Sequence, residues 1–322
     1  MKAIQIQKNG GPEVMGLTEL PIPEAGEDQA LVKVKAAGVN FIDVYQRSGL
    51  YPVKLPYTLG LEGSGIVEKI GSAVETLRVG DRVAWQGRSG GYAEYAAVPA
   101  DKLVKLPEGI DFPQAAAAML QGMTAHYLAV DTYPIKKGDT VLIHAAAGGV
   151  GRLLVQIAKR RGAQVLATVS TEQKAELARK AGADELILYT QTDFVEEVKR
   201  LTGGTGVNAV YDSVGQTTFL KSLECLSRRG ILVSFGQSSG KIDPIEPAIL
   251  GAKGSLYLTR PSLFHYVADR QSLERRASEV LGWIARGKLV LHIGEKLPLA
   301  EAAEAHRRLE ARKTVGKVLL IP

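Results

Sequence analysis

Apolar and polar residues alternate with a period of two along the first hundred or so residues. ALVKVKAAG (Ala30–Gly38), SGIVEKIG (Ser64–Gly71), GDRVAW (Gly80–Trp85) and YAEYAAV (Tyr92–Val98) put side chains of opposite character on opposite faces, with Gly and Pro between the runs. The pattern predicts short, half-buried strands in a small barrel or sandwich. A helix is predicted over Phe112–Thr132, opened by Asp111 as N-cap with Pro113 in its first turn.

From Thr140 the rhythm changes. TVLIHA (Thr140–Ala145), QVLATV (Gln164–Val169), ELILY (Glu185–Tyr189), NAVYD (Asn208–Asp212), GILVSF (Gly230–Phe235) and SLYLT (Ser255–Thr259) are short apolar runs, most of them separated by helical segments. Strands buried on both faces read this way, and strand–helix alternation predicts a doubly wound parallel sheet in an α/β fold. An amphipathic helix near Gln271–Arg286, another near Ala300–Ala311 and a last strand, KVLLI, complete the chain.

Composition narrows the function classes. A hydrophobic content of 45% excludes disorder, and 322 residues leave room for about two domains. One cysteine, Cys225, excludes an internal disulfide, a cysteine-rich zinc site and an iron–sulfur cluster. It falls in an apolar helical stretch and reads as a small buried hydrophobe. No leader-like apolar region follows Met1, and no run of about 18 apolar residues exists to span a membrane. A cytoplasmic protein is expected. The net charge of +6 admits an anionic partner, nucleic acid included, but basic and acidic residues interleave along the chain and do not favour one.

HAAAGGVGRLLVQIAKRRGA, residues 144–163, has the form of a dinucleotide turn: a strand, a loop of small residues, then a helix. Ala146, Gly148 and Gly151 keep the G-x-G-x-x-G spacing with alanine first. Small residues let the backbone approach a pyrophosphate, and the helix N-terminus offers it free N–H groups. The next strand's tip separates the two dinucleotides. An NAD site usually carries a carboxylate there; here Ser170 stands at the tip and Lys174 follows, a hydroxyl and an ammonium suited to a 2′-phosphate. Glu172 is the rival and points either way. NADPH is favoured over NADH.

The five histidines, His126, His144, His265, His292 and His306, form no metal-ligand cluster. His126 reads as a packed helix residue and His144 as support for the glycine loop. No metal is expected. No Ser-His-Asp order with a G-x-S-x-G elbow appears and no P-loop lysine follows the glycine loop, so hydrolysis and phosphoryl transfer lack their usual carriers.

These residues resemble the medium-chain dehydrogenase/reductase family, and within it the zeta-crystallin-like quinone reductases. Gly60-Leu61-Glu62-Gly63-Ser64-Gly65, then Gly71 and Val74, keeps the G-H-E-x-x-G-x5-G-x-x-V spacing, with Leu61 at the zinc-binding His and no four-cysteine structural zinc loop. Gly138-Asp139 through Leu142, Ala146–Gly151, Gln156 and Lys159 is similar to the quinone-reductase signature at every defined position. Asn40-Phe41-Ile42-Asp43, Tyr45 and Arg47–Pro52 resemble the same subfamily.

The resemblance implies a GroES-like β-barrel catalytic domain from residues 1–123 and 263–322, and a Rossmann domain from residues 124–262, with the active cleft between them. It implies a homodimer through the strand near Ser255–Thr259. It also places the cofactor against Asn40, Phe41, Ile42, Tyr45 and Thr124 at the nicotinamide end, and Gly148, Gly149 and Val150 at the phosphates. Ser170, Lys174 and Tyr189 fall at the 2′-phosphate; Ser213, Phe235, Gly236, Ser238 and Arg312 line the remaining groove. The absence of zinc is consistent with the chemistry. An alcohol–aldehyde interconversion needs a Lewis acid for the developing alkoxide, whereas an electron-poor quinone accepts hydride with no metal. Tyr45 is the candidate hydrogen-bond or proton donor, oriented by Asn40. An NADPH-dependent quinone oxidoreductase is therefore the first expectation; an NADPH-dependent enone or alkenal reductase and a cofactor-holding RNA-binding protein are the alternatives.

Overall fold

Period-two alternation in the first hundred residues becomes strand, and the apolar runs from Thr140 to Thr259 become parallel strands, the expected burial failing at Tyr257–Thr259, which lies exposed on the sheet edge. A computed structural model describes residues 1–322. In chain order the elements begin with β1 (Lys2–Ile6), β2 (Gly16–Glu19), β3 (Gln29–Gly38), α1 (Phe41–Ser48), β4 (Tyr57–Thr58), β5 (Glu62–Ile70), β6 (Arg82–Gln86), β7 (Tyr95–Pro99), β8 (Val104–Lys105) and α2 (Phe112–Tyr127). Next come β9 (Thr140–Ile143), α3 (Gly149–Arg160), β10 (Gln164–Val169), α4 (Glu172–Lys180), β11 (Glu185–Leu188), α5 (Phe194–Leu201), β12 (Val207–Asp212), α6 (Phe219–Glu224), β13 (Leu226–Ser234), α7 (Ala248–Ala252), β14 (Tyr257–Thr259) and α8 (Leu263–Tyr266). The chain closes with α9 (Arg270–Ala285), β15 (Ile293–Pro298), α10 (Ala302–Glu310) and β16 (Lys317–Ile321). They form two units, Met1–Met123 with Val267–Pro322, and Thr124–Tyr266.

The first unit joins both ends of the chain. Its larger sheet has the order β15-β16-β3-β5-β6-β8, with β7 also on β3, and its smaller one is β2-β1-β4. The C-terminal β16 pairs antiparallel with β3 at Leu319–Gly38 and Leu320–Ala37. The buried face of β3 presents Val32 and Val34 to a core with Val67, Val83, Trp85, Val98 and Leu103. A second core gathers Ile4, Ile6, Leu59, Tyr92, Leu299 and Leu320. Helix α1, absent from the sequence-based reading, is anchored at its start by the Asp43 carboxylate, which accepts the Asn40 N–H at 2.9 Å. It stops at Gly49, whose φ of 85° is the left-handed conformation that glycine reaches without a Cβ clash.

The second unit is a six-stranded sheet, order β11-β10-β9-β12-β13-β14, with every pairing parallel. Renumbered from its first strand this is 3-2-1-4-5-6, the dinucleotide-binding order, whose reversal between β9 and β12 opens a crevice at the strands' carboxyl ends. Leu142, Leu166, Val210 and Leu232 pack there against Phe194, Val198, Phe219 and Leu223 from the helices.

The helix expected over Phe112–Thr132 ends at Tyr127 and is followed by a π-helical turn, Leu128–Thr132. The Tyr211 hydroxyl on β12 donates to the Leu128 carbonyl at 3.3 Å, holding that turn to the sheet. Residues 263–266, expected in the first unit, pack in the second, where the Tyr266 ring stacks on Tyr127 at 4.2 Å and its hydroxyl takes a 2.8 Å hydrogen bond from Thr132. Cys225 caps α6 and is fully buried, its thiol pushed up to about 12 chiefly by burial.

Candidate active site

In the second unit the site begins where β9 ends. His144 is 1% exposed; its Nδ1 lies 2.8 Å from the Thr168 hydroxyl and its Nε2 3.0 Å from the Ser222 hydroxyl. Ser222 and Thr218 both donate to Asp212 Oδ2, at 3.0 and 2.7 Å, while Val214 and Gly215 N–H donate to Oδ1. Because the Ser222 proton goes to Asp212, its oxygen accepts from Nε2–H, and Nδ1 is the bare nitrogen that accepts from Thr168. Burial holds the imidazole below its ordinary range, in the neutral form this geometry needs. The network ties the carboxyl ends of β9, β10 and β12 to α6, so His144 braces the strand ends, its side-chain hydrogen bonds going to Thr168 and Ser222 and not to the glycine loop it was expected to support.

The turn itself is tight. Ala145 takes a left-handed φ of 50°, and the Gly148 N–H donates to its carbonyl at 2.9 Å. A Cβ at Gly151 would collide with the Ala145 carbonyl oxygen and stand 2.8 Å from Ala146 Cα, so only glycine lets α3 start this close to the strand. The N–H groups of Gly149, Val150 and Gly151 in the helix's first turn have no carbonyl four residues back to bond, which is what a dinucleotide phosphate requires.

At the tip of β10, Thr171 caps α4 by accepting the Lys174 N–H at 3.3 Å, and Thr190 donates to the Ser170 carbonyl at 3.1 Å. Val169 pairs with Leu188, which sets Tyr189, 38% exposed, beside Ser170. Ser170, Lys174 and Tyr189 are thus brought together, and Glu172 is solvent-exposed on the first turn of α4. At the ends of β12 and β13 a second group assembles. The Ser238 N–H donates to the Ser213 carbonyl at 3.2 Å, and a Cβ on Gly236 would come within 2.5 Å of that same oxygen. Phe235 follows directly, its N–H on the Asp212 carbonyl at 2.8 Å. Thr124, 7% exposed, lies in α2.

In the first unit Asn40 opens α1 and is 4% exposed. Every polar atom of its amide has a partner: Oδ1 accepts from Lys317 Nζ at 2.8 Å and Gln121 Nε2 at 3.2 Å, while Nδ2 donates to Glu62 Oε2 at 3.0 Å and the Gly38 carbonyl at 3.2 Å. Tyr45 lies on α1 between the rings of Phe41 and Tyr51, at 6.1 and 5.1 Å. Phe41 and Ile42 are half-buried on the same helix, and Arg312 is exposed just beyond α10, with a left-handed φ of 57°.

Beneath Asn40 runs a polar network that sequence reading missed. Lys317 Nζ binds Glu62 Oε2 at 2.5 Å, with both side chains at most 3% exposed. Asp43 accepts from Asn40 N–H, Leu61 N–H and the Tyr92 hydroxyl. Arg47, always a donor, gives Nη1–H to His306 Nδ1 at 3.1 Å, so His306 Nε2–H faces the Tyr92 oxygen at 3.2 Å. Burial and the Arg47 charge hold His306 down to about 3; burial lifts Asp43 to about 7 against those hydrogen bonds. Arg47 ends the chain on Glu310 through two bonds of 2.9 and 2.7 Å. The only trace in the sequence is a charged residue set between apolar neighbours, Asp43 between Ile42 and Val44.

Comparison with known proteins adds the relatives. Residues 26–108 match the alcohol dehydrogenase GroES-like domain and residues 149–272 the zinc-binding dehydrogenase domain. The chain is 48% identical to quinone oxidoreductase 1 of Escherichia coli, over 99% of each chain, and 41% identical to a 2-haloacrylate reductase of a Burkholderia species, over 99% of this chain and 98% of that protein. The crystal structure of Escherichia coli quinone oxidoreductase complexed with NADPH superposes with a TM-score of 0.98 at 47% identity, covering all of both chains. The zinc in the domain's description does not fit these residues. No three His, Cys, Asp or Glu side chains are grouped to hold a metal. Leu61 precedes Glu62, and the Glu62 carboxylate is already taken by the Lys317 ammonium, Asn40 Nδ2 and the Leu120 N–H at 2.6 Å.

Proposed function

The chain belongs to the medium-chain dehydrogenase/reductase family, in the branch of the quinone oxidoreductases, and from that premise we propose that it reduces quinones with NADPH and without zinc. The observation that carries the reading is the pair of structures at the carboxyl ends of β9 and β10: a turn that only small residues can form, followed by a tip bearing Ser170 and Lys174 with no carboxylate on the strand end. When bound, the dinucleotide supplies a hydride, which with one proton converts a quinone to its hydroquinone.

The protein's share is positioning. Gly148, Gly149 and Val150 receive the phosphates, and Ser170, Lys174 and Tyr189 receive the 2′-phosphate. Ser213, Phe235, Gly236 and Ser238 border the groove at β12 and β13, and Thr124, Phe41, Ile42 and Arg312 complete the contacts. Tyr45 offers its hydroxyl to the acceptor oxygen. Asn40, its amide fully committed, acts by fixing the start of α1 and so the place of Tyr45. The 41% identity to a 2-haloacrylate reductase favours a second reading, reduction of an activated carbon–carbon double bond at the same site.

A homodimer through the outer edge of β14 belongs to the same reading. That edge has no strand partner and exposes Tyr257 by 55% and Leu258 by 37%, a liability that symmetric pairing removes. Light scattering at twice 34.5 kDa supports it, and a monomer overturns it. No helix is long and apolar enough to cross a membrane, and a cytoplasmic place of work fits the single reduced thiol.

The function is tested by following NADPH and NADH oxidation by the purified protein with ortho- and para-quinones, enones and alcohols, with and without a chelator. Chelator-insensitive NADPH oxidation by quinones is the expected result. Turnover of enones alone transfers the protein to the second reading. No oxidation with any acceptor overturns both.

A further inference from the structure

Helix α3 carries a charge that nothing in the protein answers. Arg152 directly follows Gly151 and is only 8% exposed, yet its Nε and Nη1 are buried with no hydrogen-bond partner. Burial alone displaces the guanidinium below its ordinary range, with no carboxylate to offset it. A buried, unpaired cation is strongly unfavourable, and folded proteins hold one where an anion completes it. Two other buried cations show the contrast: Arg47 has Glu310 at 2.7 Å and Lys317 has Glu62 at 2.5 Å.

The helix geometry identifies the anion. Seven residues make nearly two turns, so Arg152 and Lys159 share one stripe of α3. Lys159 binds Asp184 at 2.7 Å, and its Cγ would lie 3.1 Å from a Cβ on Gly182. Both partners follow directly after α4, so this stripe faces α4. Helices α3 and α4 leave the carboxyl ends of the adjacent parallel strands β9 and β10 and run in the same direction. Two turns back from Gly182 is Ala175, in the first turn of α4. A helical arginine leans toward the N-terminus of its own helix, here toward the Ser170–Lys174 tip.

We propose that Arg152 is a specificity-determining residue: the buried donor to the 2′-phosphate of NADPH, behind the more exposed Ser170 and Lys174. The inference rests on the NADPH reading above and supplies the charge that the pocket's outer rim only partly provides. A guanidinium gives a phosphate charge-assisted N–H bonds, and Nε and Nη1 are the two buried donors left without a partner.

The test uses the full-length protein with Arg152→Leu, Arg152→Gln and Arg152→Lys, titrated calorimetrically with NADPH, NADH, 2′-AMP and ADP. The dissociation constant for NADPH should rise about tenfold or more in the Leu and Gln variants, with 2′-AMP weakened in parallel. NADH and ADP should change by less than about twofold, and Arg152→Lys should fall between. The ligand-free melting temperature should hold or rise, because no internal partner is lost, while the upward shift produced by NADPH shrinks. Equal weakening of NADPH and NADH would assign Arg152 to the pyrophosphate and overturn the proposal, as would unchanged NADPH affinity or a ligand-free protein that melts lower. Wild-type protein that binds neither dinucleotide would overturn the proposed function itself, a result distinct from any of these.

Discussion

Two polar regions, one in each unit, are built on opposite terms. In the first unit every amide atom of Asn40 and both carboxylate oxygens of Glu62 have partners, and the one buried ammonium sits on that carboxylate. At the turn from Ala145 to Lys174 in the second unit, backbone N–H groups and two guanidinium nitrogens of Arg152 have none. A saturated network holds geometry, since each group it contains would be costly to strand. An unsaturated one is prepared for a ligand. The difference separates positioning residues from binding residues more sharply than their residue types do.

Breaking the saturated region should have the largest effect. Lys317→Met leaves the Glu62 charge buried without its cation and should cost about 3–5 kcal/mol in urea unfolding. Lys317→Met with Glu62→Gln should recover most of that loss. Next is Gly151→Ala, which forces a methyl into the Ala145 carbonyl oxygen; a loss of about 1–3 kcal/mol and weaker dinucleotide binding should appear together in a ligand-dependent melting series.

The saturated network also predicts a pH signature. Burial lifts Asp43 to about 7, so its stabilising contribution is full below its unfolded value of 3.8 and is lost as pH rises through about 7. Burial and Arg47 hold His306 down to about 3, so its contribution is full above 6.5 and is lost as pH falls through about 3. Over the shared window, from about pH 4 to 6.5, the two slopes oppose each other. Asp43→Asn should leave the His306 slope uncovered, with stability rising with pH by up to about 1.4 kcal/mol per unit. A slope equal to that of the unsubstituted protein would show that these two groups do not titrate as a pair of opposites.

Smaller effects sharpen the contrast. Tyr45→Phe keeps the ring contacts to Phe41 and Tyr51, so stability should hold while kcat/KM for quinone falls about tenfold, the scale of one lost hydrogen bond in the transition state. Unchanged kcat/KM would remove Tyr45 from the reaction. Lys221→Ala, which deletes an exposed ion pair with Asp193, belongs to neither region and should move stability by less than about 1 kcal/mol.

The sheet of the second unit was legible because strands buried on both faces are apolar throughout: TVLI, QVLATV and ELIL announce themselves, and the small-residue turn lies between the first two. The places of Ser170 and Lys174 were legible because they lie a few residues apart, one just past the end of β10 and the other in the first turn of α4. Helix α1 was not, since FIDVYQRS buries Asp43 and Arg47 alongside Val44 and so shows no clean apolar stripe. The network below it was out of reach because its members, at 40, 43, 47, 62, 92, 306, 310 and 317, meet only when β16 pairs with β3. Arg152 was visible as a charged residue in the turn's first helix, but its lack of a partner is a property of packing that no local pattern records.

The most direct test of the whole account is the ratio of kcat/KM for NADPH to that for NADH with a single para-quinone as acceptor. A phosphate met by an ammonium, a hydroxyl and a buried guanidinium predicts a preference for NADPH of about a hundredfold or more, insensitive to chelator. Equal use of the two dinucleotides, or preference for NADH, would contradict it.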